Sequence, residues 1–236
     1  VPIPRGQLKQ IFWISLVGST LQYGMTFTGL SMLDASLAII IIHLEVPFSV
    51  LLAAIVLKDK PGSQRILGMV ISFSGVVLIA GQPSLNEQLP AIMLTAAGAM
   101  MWAVGQVMVK RLKNPPSGFA LIAWIGVFSG PQMILGSFIF EDSQLESLSN
   151  ASWIGWGVIL YLALIMTVLG YGIWYRVLSR NPVSKVMPVM LLLPVFTIAS
   201  SMFFLGEQPS PMIFIGAAVV IGGVSMIVIT KDSKLA

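Results

Sequence analysis

Eight apolar stretches follow one another with only short connections between them. Each is about 20 residues long, the length a helix needs to cross a bilayer. They cover residues 11–31, 35–57, 64–82, 90–109, 118–139, 153–175, 184–205 and 211–230. So little chain lies outside them that a soluble domain has nowhere to form. In lipid a segment must satisfy its own backbone polar groups, which leaves helices or a closed barrel. A barrel strand would alternate with period two, and none of these runs does. The fold read here is an all-α polytopic membrane protein with eight transmembrane helices. Charge agrees: 9% of the residues are charged, where a soluble domain carries roughly 25%.

The charges also set a topology. All 13 Lys and Arg residues fall before the first segment, after the last, or in or at the edge of every second connection: Arg5, Lys9, Lys58, Lys60, Arg65, Lys110, Arg111, Lys113, Arg176, Arg180, Lys185, Lys231 and Lys234. The remaining connections carry Asp34, Glu87, Glu141, Asp142, Glu146 and Glu207. Basic loops stay on the cytoplasmic side. Both termini are therefore expected to be cytoplasmic.

Several functions are excluded. There are no cysteines and one histidine, which removes disulfides, thiolate chemistry and His-based metal sites. The net charge of +4 is scattered among short loops, so a nucleic-acid partner is not indicated. No G-x-x-x-x-G-K-[ST] loop occurs, so ATP does not drive this chain by itself. No cofactor is expected.

The second segment departs from the others. Its middle holds the lone histidine, His43, together with Glu45 and Pro47. A carboxylate at the bilayer centre costs about 2.5–3.5 kcal/mol on insertion scales, and such groups usually mark a pathway. Glu45 is expected to bind a proton or a substrate amine near the midplane. His43, about 200° away around the helix, faces elsewhere; it is a candidate for the same site or for a bond to a backbone carbonyl. Pro47 lacks the amide that would reach the His43 carbonyl. The expectation is a hinge with a freed acceptor, and Pro194 is its counterpart in the seventh segment.

An internal repeat is visible at one offset of 148. It pairs Asp59 with Glu207, Pro61 with Pro209, Gly68 with Gly216 and Gly75 with Gly223; Pro47 pairs with Pro194 after one residue of slippage. The second and seventh segments run in opposite directions, so the repeats are inverted. Five helices make the later repeat and three the earlier one. Residues 1–86 are thus read as an incomplete first repeat and residues 87–236 as a complete second one. The expectation is a ten-helix protein of 5+5 design whose first two helices this chain lacks.

At this point the residues resemble a known family. The ends of the second and seventh segments, the Gly-spaced third and eighth, MWAVGQVMVKR from Met101 to Arg111, and TVLGYGIWYRVLSR with VMPVMLLLPVF from Thr167 to Phe196 are similar to EamA-type members of the drug/metabolite transporter superfamily. The likeness is nearest to bacterial exporters of amino-acid metabolites of the O-acetylserine/cysteine type. It implies a secondary exporter of amino acids or related small metabolites in the inner (plasma) membrane, with a central cavity and alternating access; with no nucleotide-binding loop, the driving energy is expected from an ion gradient, H+ first. Its partners would be the lipid bilayer and a small polar metabolite.

Further polar and aromatic groups lie at mid-depth. Gln22 and Tyr23 on the first segment, Trp102 and Gln106 four apart on the fourth, and Tyr171 on the sixth are candidates to line the cavity. Two other classes remain open beside export: another small-molecule efflux or uptake carrier of the same fold, and an intramembrane enzyme. The enzyme reading needs a nucleophile with a base, or two carboxylates, at depth. His43 and Glu45 do not face each other and fit it poorly.

Overall fold

The computed structural model describes residues 5–58, 61–80, 87–113, 116, 118–170, 173 and 192–229. Among them there are helices and no strands. Eight helical units appear in the order of the eight apolar segments. They are α1 (Arg5–Leu30), α2 (Ala35–Val56), α3 (Ser63–Ala80), α4 (Leu89–Lys110), α5 (Gly118–Phe140), α6 (Trp153–Gly170), α7 (Leu192–Leu205) and α8 (Pro211–Ile229). A short helix over Gln144–Ser149 lies in the longest connection. The units α2, α4, α5, α6 and α8 are long and apolar enough to cross a membrane; the apolar helices of α3 and α7 are shorter. The chain is a polytopic membrane protein. Its surface fits that setting: α6 and the outward sides of α5 and α7 expose large apolar side chains, including Phe138, Ile139, Trp153, Phe196, Phe203 and Phe204. Water would not tolerate so broad an apolar surface, whereas lipid does.

Two helix crossings hold the bundle together, both built on small residues. Where α3 crosses α8, a Cβ on Gly68 would lie 2.6 Å from the Gly223 carbonyl oxygen, and one on Gly75 would lie 3.1 Å from the Gly216 carbonyl oxygen. Between these contacts the Ser72 hydroxyl bonds Gly68 O at 2.9 Å and reaches Val220 O at 3.5 Å. Lipid tails are as apolar as leucine, so close backbone approach and dispersion supply the attraction that the hydrophobic effect supplies in water. The second crossing joins α1 to α4. A Cβ on Gly18 would lie 2.9 Å from the Gly105 Cα, while Thr26 sits over Gly98 and Thr95 over Gly29. Both helices use one pattern, Thr-x-x-Gly, at Thr26–Gly29 and Thr95–Gly98.

The largest apolar cluster centres on the first half of α2. Leu37, Ala38, Ile40 and Ile41 are each at most 1% exposed. They pack with Val76 and Ile79 of α3, Ala91, Ile92 and Ala99 of α4, Ile198 of α7 and Val220 and Val224 of α8. Ile39 and Ile42 of this half-helix are only partly buried, so protein covers most of its surface but not all.

Candidate functional site

The core helix α2 is interrupted at mid-span. An α-helix over Ala35–Ile42 stops at a turn through His43 and Leu44, and a second helix runs over Glu45–Val56. Pro47 explains the break. The helix restarts at Glu45, so Pro47 falls in a first turn, where a missing N–H leaves nothing unpaired. The freed acceptor expected at His43 is absent, however. The turn tightens, and the Val46 N–H donates to the His43 carbonyl at 3.2 Å. A three-residue bond has replaced the four-residue bond that Pro47 cannot make.

The break fixes the two ionisable groups differently. Glu45 becomes the first residue of a half-helix and is half-buried, with its carboxyl beside the positive end of that helix's dipole. His43 is 6% exposed. Its Nδ1 lies 2.8 Å from the Ile39 carbonyl oxygen, so the ring is held back along its own helix. Pro47 and Pro194 are both buried, on α2 and α7.

The other candidates sit on α1 and α4. Gln22 follows a π-helical stretch over Leu16–Leu21; such wide turns shift the register of the side chains after them. Its Nε2 donates to Thr26 Oγ1 at 3.3 Å, and its Oε1 is buried without a hydrogen-bond partner. Tyr23 is half-buried and stacks on Phe27, ring centroids 5.5 Å apart. Trp102, partly buried, lies on the α4 face that carries Gly98 and Gly105. The antiparallel pairing of Gly18 with Gly105 and Thr26 with Gly98 places it level with Gln22. Gln106, one turn on, is exposed. Tyr171 lies outside the described residues. Gln22 and Trp102 are thus brought to one level, and His43 and Glu45 to one break. Among the described residues no three His, Asp or Glu side chains gather to hold a metal ion.

Charged side chains distant in sequence hold α2 at both ends. At its start, the Glu207 carboxylate accepts hydrogen bonds from the Ala35 N–H at 2.7 Å and the Ser36 N–H at 3.1 Å. At its end, the Arg111 guanidinium donates to the Val56 carbonyl at 2.9 Å. Each charge opposes the helix dipole at its own end and pairs backbone groups the helix leaves open. Burial works against ionisation of Glu207. Hydrogen bonding at Ser36, Ala35 and Ser201 outweighs it and holds the carboxyl below its usual range. Gly206, at φ 68°, makes this reach possible. It ends α7 in the left-handed conformation that glycine adopts without strain, and the chain doubles back toward α2. Repeat matching picked out Glu207, but nothing in the sequence tied it to Ala35, 172 residues away.

Below this clamp lies a cleft of about 330 Å3. Ala35 of α2 and Thr197, Ser200, Ser201, Phe196 and Phe204 of α7 and its end line it. None of the site residues named from the sequence does, so the cleft lies apart from the break.

Comparison with known proteins agrees with this architecture. The model of the EamA-like transporter family matches residues 1–81 and 89–229. A probable amino-acid metabolite efflux pump of Salmonella typhimurium is 29% identical over 229 residues, covering 93% of this chain and 76% of that protein. A protein of the same description from Escherichia coli is 27% identical over 229 residues, with the same two shares of 93% and 76%. An uncharacterized transporter of Archaeoglobus fulgidus is 26% identical, covering 89% of this chain and 73% of that protein. Among solved structures, one crystal structure matches with a TM-score of 0.62 at 18% identity, over 92% of this chain and 75% of the other; it shares the fold.

Proposed function

We infer that this chain, which belongs to the EamA-like transporter family, exports amino acids or related small metabolites by alternating access, with a proton as the coupling ion. The coarser function, carriage of a small molecule across a membrane, comes with the family. The named relatives support the metabolite class and the direction, since both carry the description "probable amino-acid metabolite efflux pump".

The observation that carries the reading is the break in α2. Transporters built from inverted repeats bind at the midplane, on discontinuous helices whose open ends face the substrate. Here a buried helix stops at His43 and restarts at Glu45 in the middle of a 22-residue span. Glu45 stands at that restart as an acid able to carry a proton or to pair with an amine. Gln22, Tyr23, Trp102, Gln106 and Tyr171 are proposed as walls of the same cavity, with Pro47 and Pro194 as hinges. The acidic end of the bundle is proposed to face outward, with the termini in the cytoplasm.

The two-repeat reading, residues 1–86 and 87–236, has support from the α3–α8 crossing. Gly68 corresponds to Gly216 and Gly75 to Gly223 in the repeat. The contacts run from Gly68 to Gly223 and from Gly75 to Gly216, and a two-fold exchange maps this set onto itself. Ser72 and Val220, 148 residues apart, sit at its centre.

The test is efflux. Cells carrying the protein's whole gene are loaded with an amino-acid mixture, and the outside medium is analysed beside a Glu45→Gln variant. Release of one class, lost in the variant at equal membrane abundance, supports export through Glu45. Unchanged efflux in the variant would remove Glu45 from the mechanism, and release of nothing would remove export.

A further inference from the structure

The Glu207 clamp joins two elements of opposite character. The first half of α2, which receives it, is the most deeply buried piece of the bundle. The outer part of α7, which delivers it, is lightly packed. Over Leu192–Leu205 only Pro194, Ile198 and Ser201 are buried, while Val195, Phe196, Phe203, Phe204 and Leu205 are more than half exposed. Elements with few buried contacts are the ones that move at low cost. The cleft already separates the two, lined by Thr197 and Ser200 among the apolar Leu193, Phe196, Phe204 and Leu205, while the Ser201 hydroxyl donates to the Ile198 carbonyl. The helix beside it is irregular, passing into a π-helical stretch over Ser201–Leu205 before Gly206. Beside this cleft, the Glu207 bonds to Ala35 and Ser36 tie α7's end to α2.

We propose that Glu207 is the latch of a gate: when its carboxylate leaves the Ala35 and Ser36 amides, the end of α7 swings away from the fixed half of α2 and the cleft opens to water at the acidic end of the bundle. The latch makes the cleft the exit vestibule of the carrier, a role that rests on the transport reading above. The mobile side is α7 rather than α2, because moving Leu37, Ile40 and Ile41 would tear open the core.

The chain contains no cysteine, and any cysteine that the rest of the gene adds is first changed to serine, so single-cysteine reporters can be read without background. Two near-isosteric probes are placed in the whole protein. Ser36→Cys lies under the latch, where Ser36 is 0% exposed. Thr197→Cys lies in the cleft, about three turns from Glu207. A third, Ser72→Cys, lies in the α3–α8 crossing and is also 0% exposed. Each is reacted with a charged, water-soluble thiol reagent in nanodiscs, where neither the direction of transport nor the substrate matters. With Glu207→Ala, labelling at positions 36 and 197 is expected to rise at least roughly tenfold, the scale of losing a charge-assisted hydrogen bond, while position 72 stays unreactive. Glu207→Gln, which keeps the shape and loses the charge, is expected to give a smaller rise at the same two positions.

Unchanged labelling at both positions in both variants overturns the latch. A rise confined to position 36 also overturns it, since Glu207 would then be a helix cap and nothing more. A rise at position 72 equal to the others does the same, by showing loss of the fold. Because labelling needs no transported solute, a protein that exported nothing in the efflux test would still show the latch or its absence.

Discussion

Gly68 and Gly223 meet backbone to backbone where α3 crosses α8: a Cβ on Gly223 would lie 2.5 Å from the Gly68 carbonyl oxygen. No real Cβ sits that close to a backbone oxygen, so a side chain here has to push two helices apart. The neighbouring Gly222 has nothing within 4 Å of its would-be Cβ. Gly223→Ala is therefore expected to destabilise the protein by roughly 1–3 kcal/mol, the usual cost of overpacking, while Gly222→Ala costs nothing measurable. Thermal unfolding of the two variants in the same detergent checks this, and equal midpoints would count against the packing account.

Pro47 makes the break in α2. Pro47→Ala returns an N–H to that position, and a continuous helix becomes available again. Efflux is expected to fall several-fold without loss of membrane abundance, because the restart at Glu45 is what places the carboxyl. An unaffected rate would mean that the break has no role in transport.

Glu207 gives the protein an acid-side dependence. Its carboxyl is held below the ordinary range by its hydrogen bonds. The folded state therefore prefers the ionised form. Its stabilisation is fully present above the pKa of an unfolded glutamate, about 4.3, and is lost as pH falls through the lower folded value. Asp34, next to Ala35, is the other acid at this end of α2. Unfolding midpoints measured against pH should separate the native protein from Glu207→Gln above that range and bring them together in strong acid. A constant gap at all pH values would assign the difference to shape rather than charge.

Gln132 ties α5 to the wide stretch of α1. Its Oε1 accepts from Thr20 Oγ1 at 2.7 Å and from Ser15 Oγ at 3.3 Å, and its Nε2 donates to the Phe12 carbonyl at 3.4 Å. Gln132→Ala and Thr20→Val each remove one side of the shorter bond. A double-mutant cycle in unfolding free energy should return a coupling of about 0.6 kcal/mol, the average for such bonds between membrane helices. A coupling of zero would show that the pair is not joined in the membrane.

The sequence by itself determined the helical class, the order of the units, the alternation of basic and acidic connections and the small residues on α3 and α8. These are local or periodic signals. A run of apolar residues, a loop's charge and a repeated glycine can each be read without knowing what lies opposite. The family was legible for the same reason, through motifs that are contiguous in the chain. Pro47 was legible as a break, but not the Val46 bond that closes over His43, because that depends on how the turn relaxes.

Only the tertiary structure decided which elements meet. The Thr-x-x-Gly pattern stands in both α1 and α4, yet its pairing of Thr26 with Gly98 and Thr95 with Gly29 depends on the antiparallel register of two helices. Glu207 reaching Ala35, Arg111 reaching Val56 and Gln132 reaching Thr20 are single contacts between residues 172, 55 and 112 positions apart. A lone polar side chain has no period and leaves no mark on the residues around it. Its partner is fixed by the geometry of packing, which the whole chain sets together and no single stretch records.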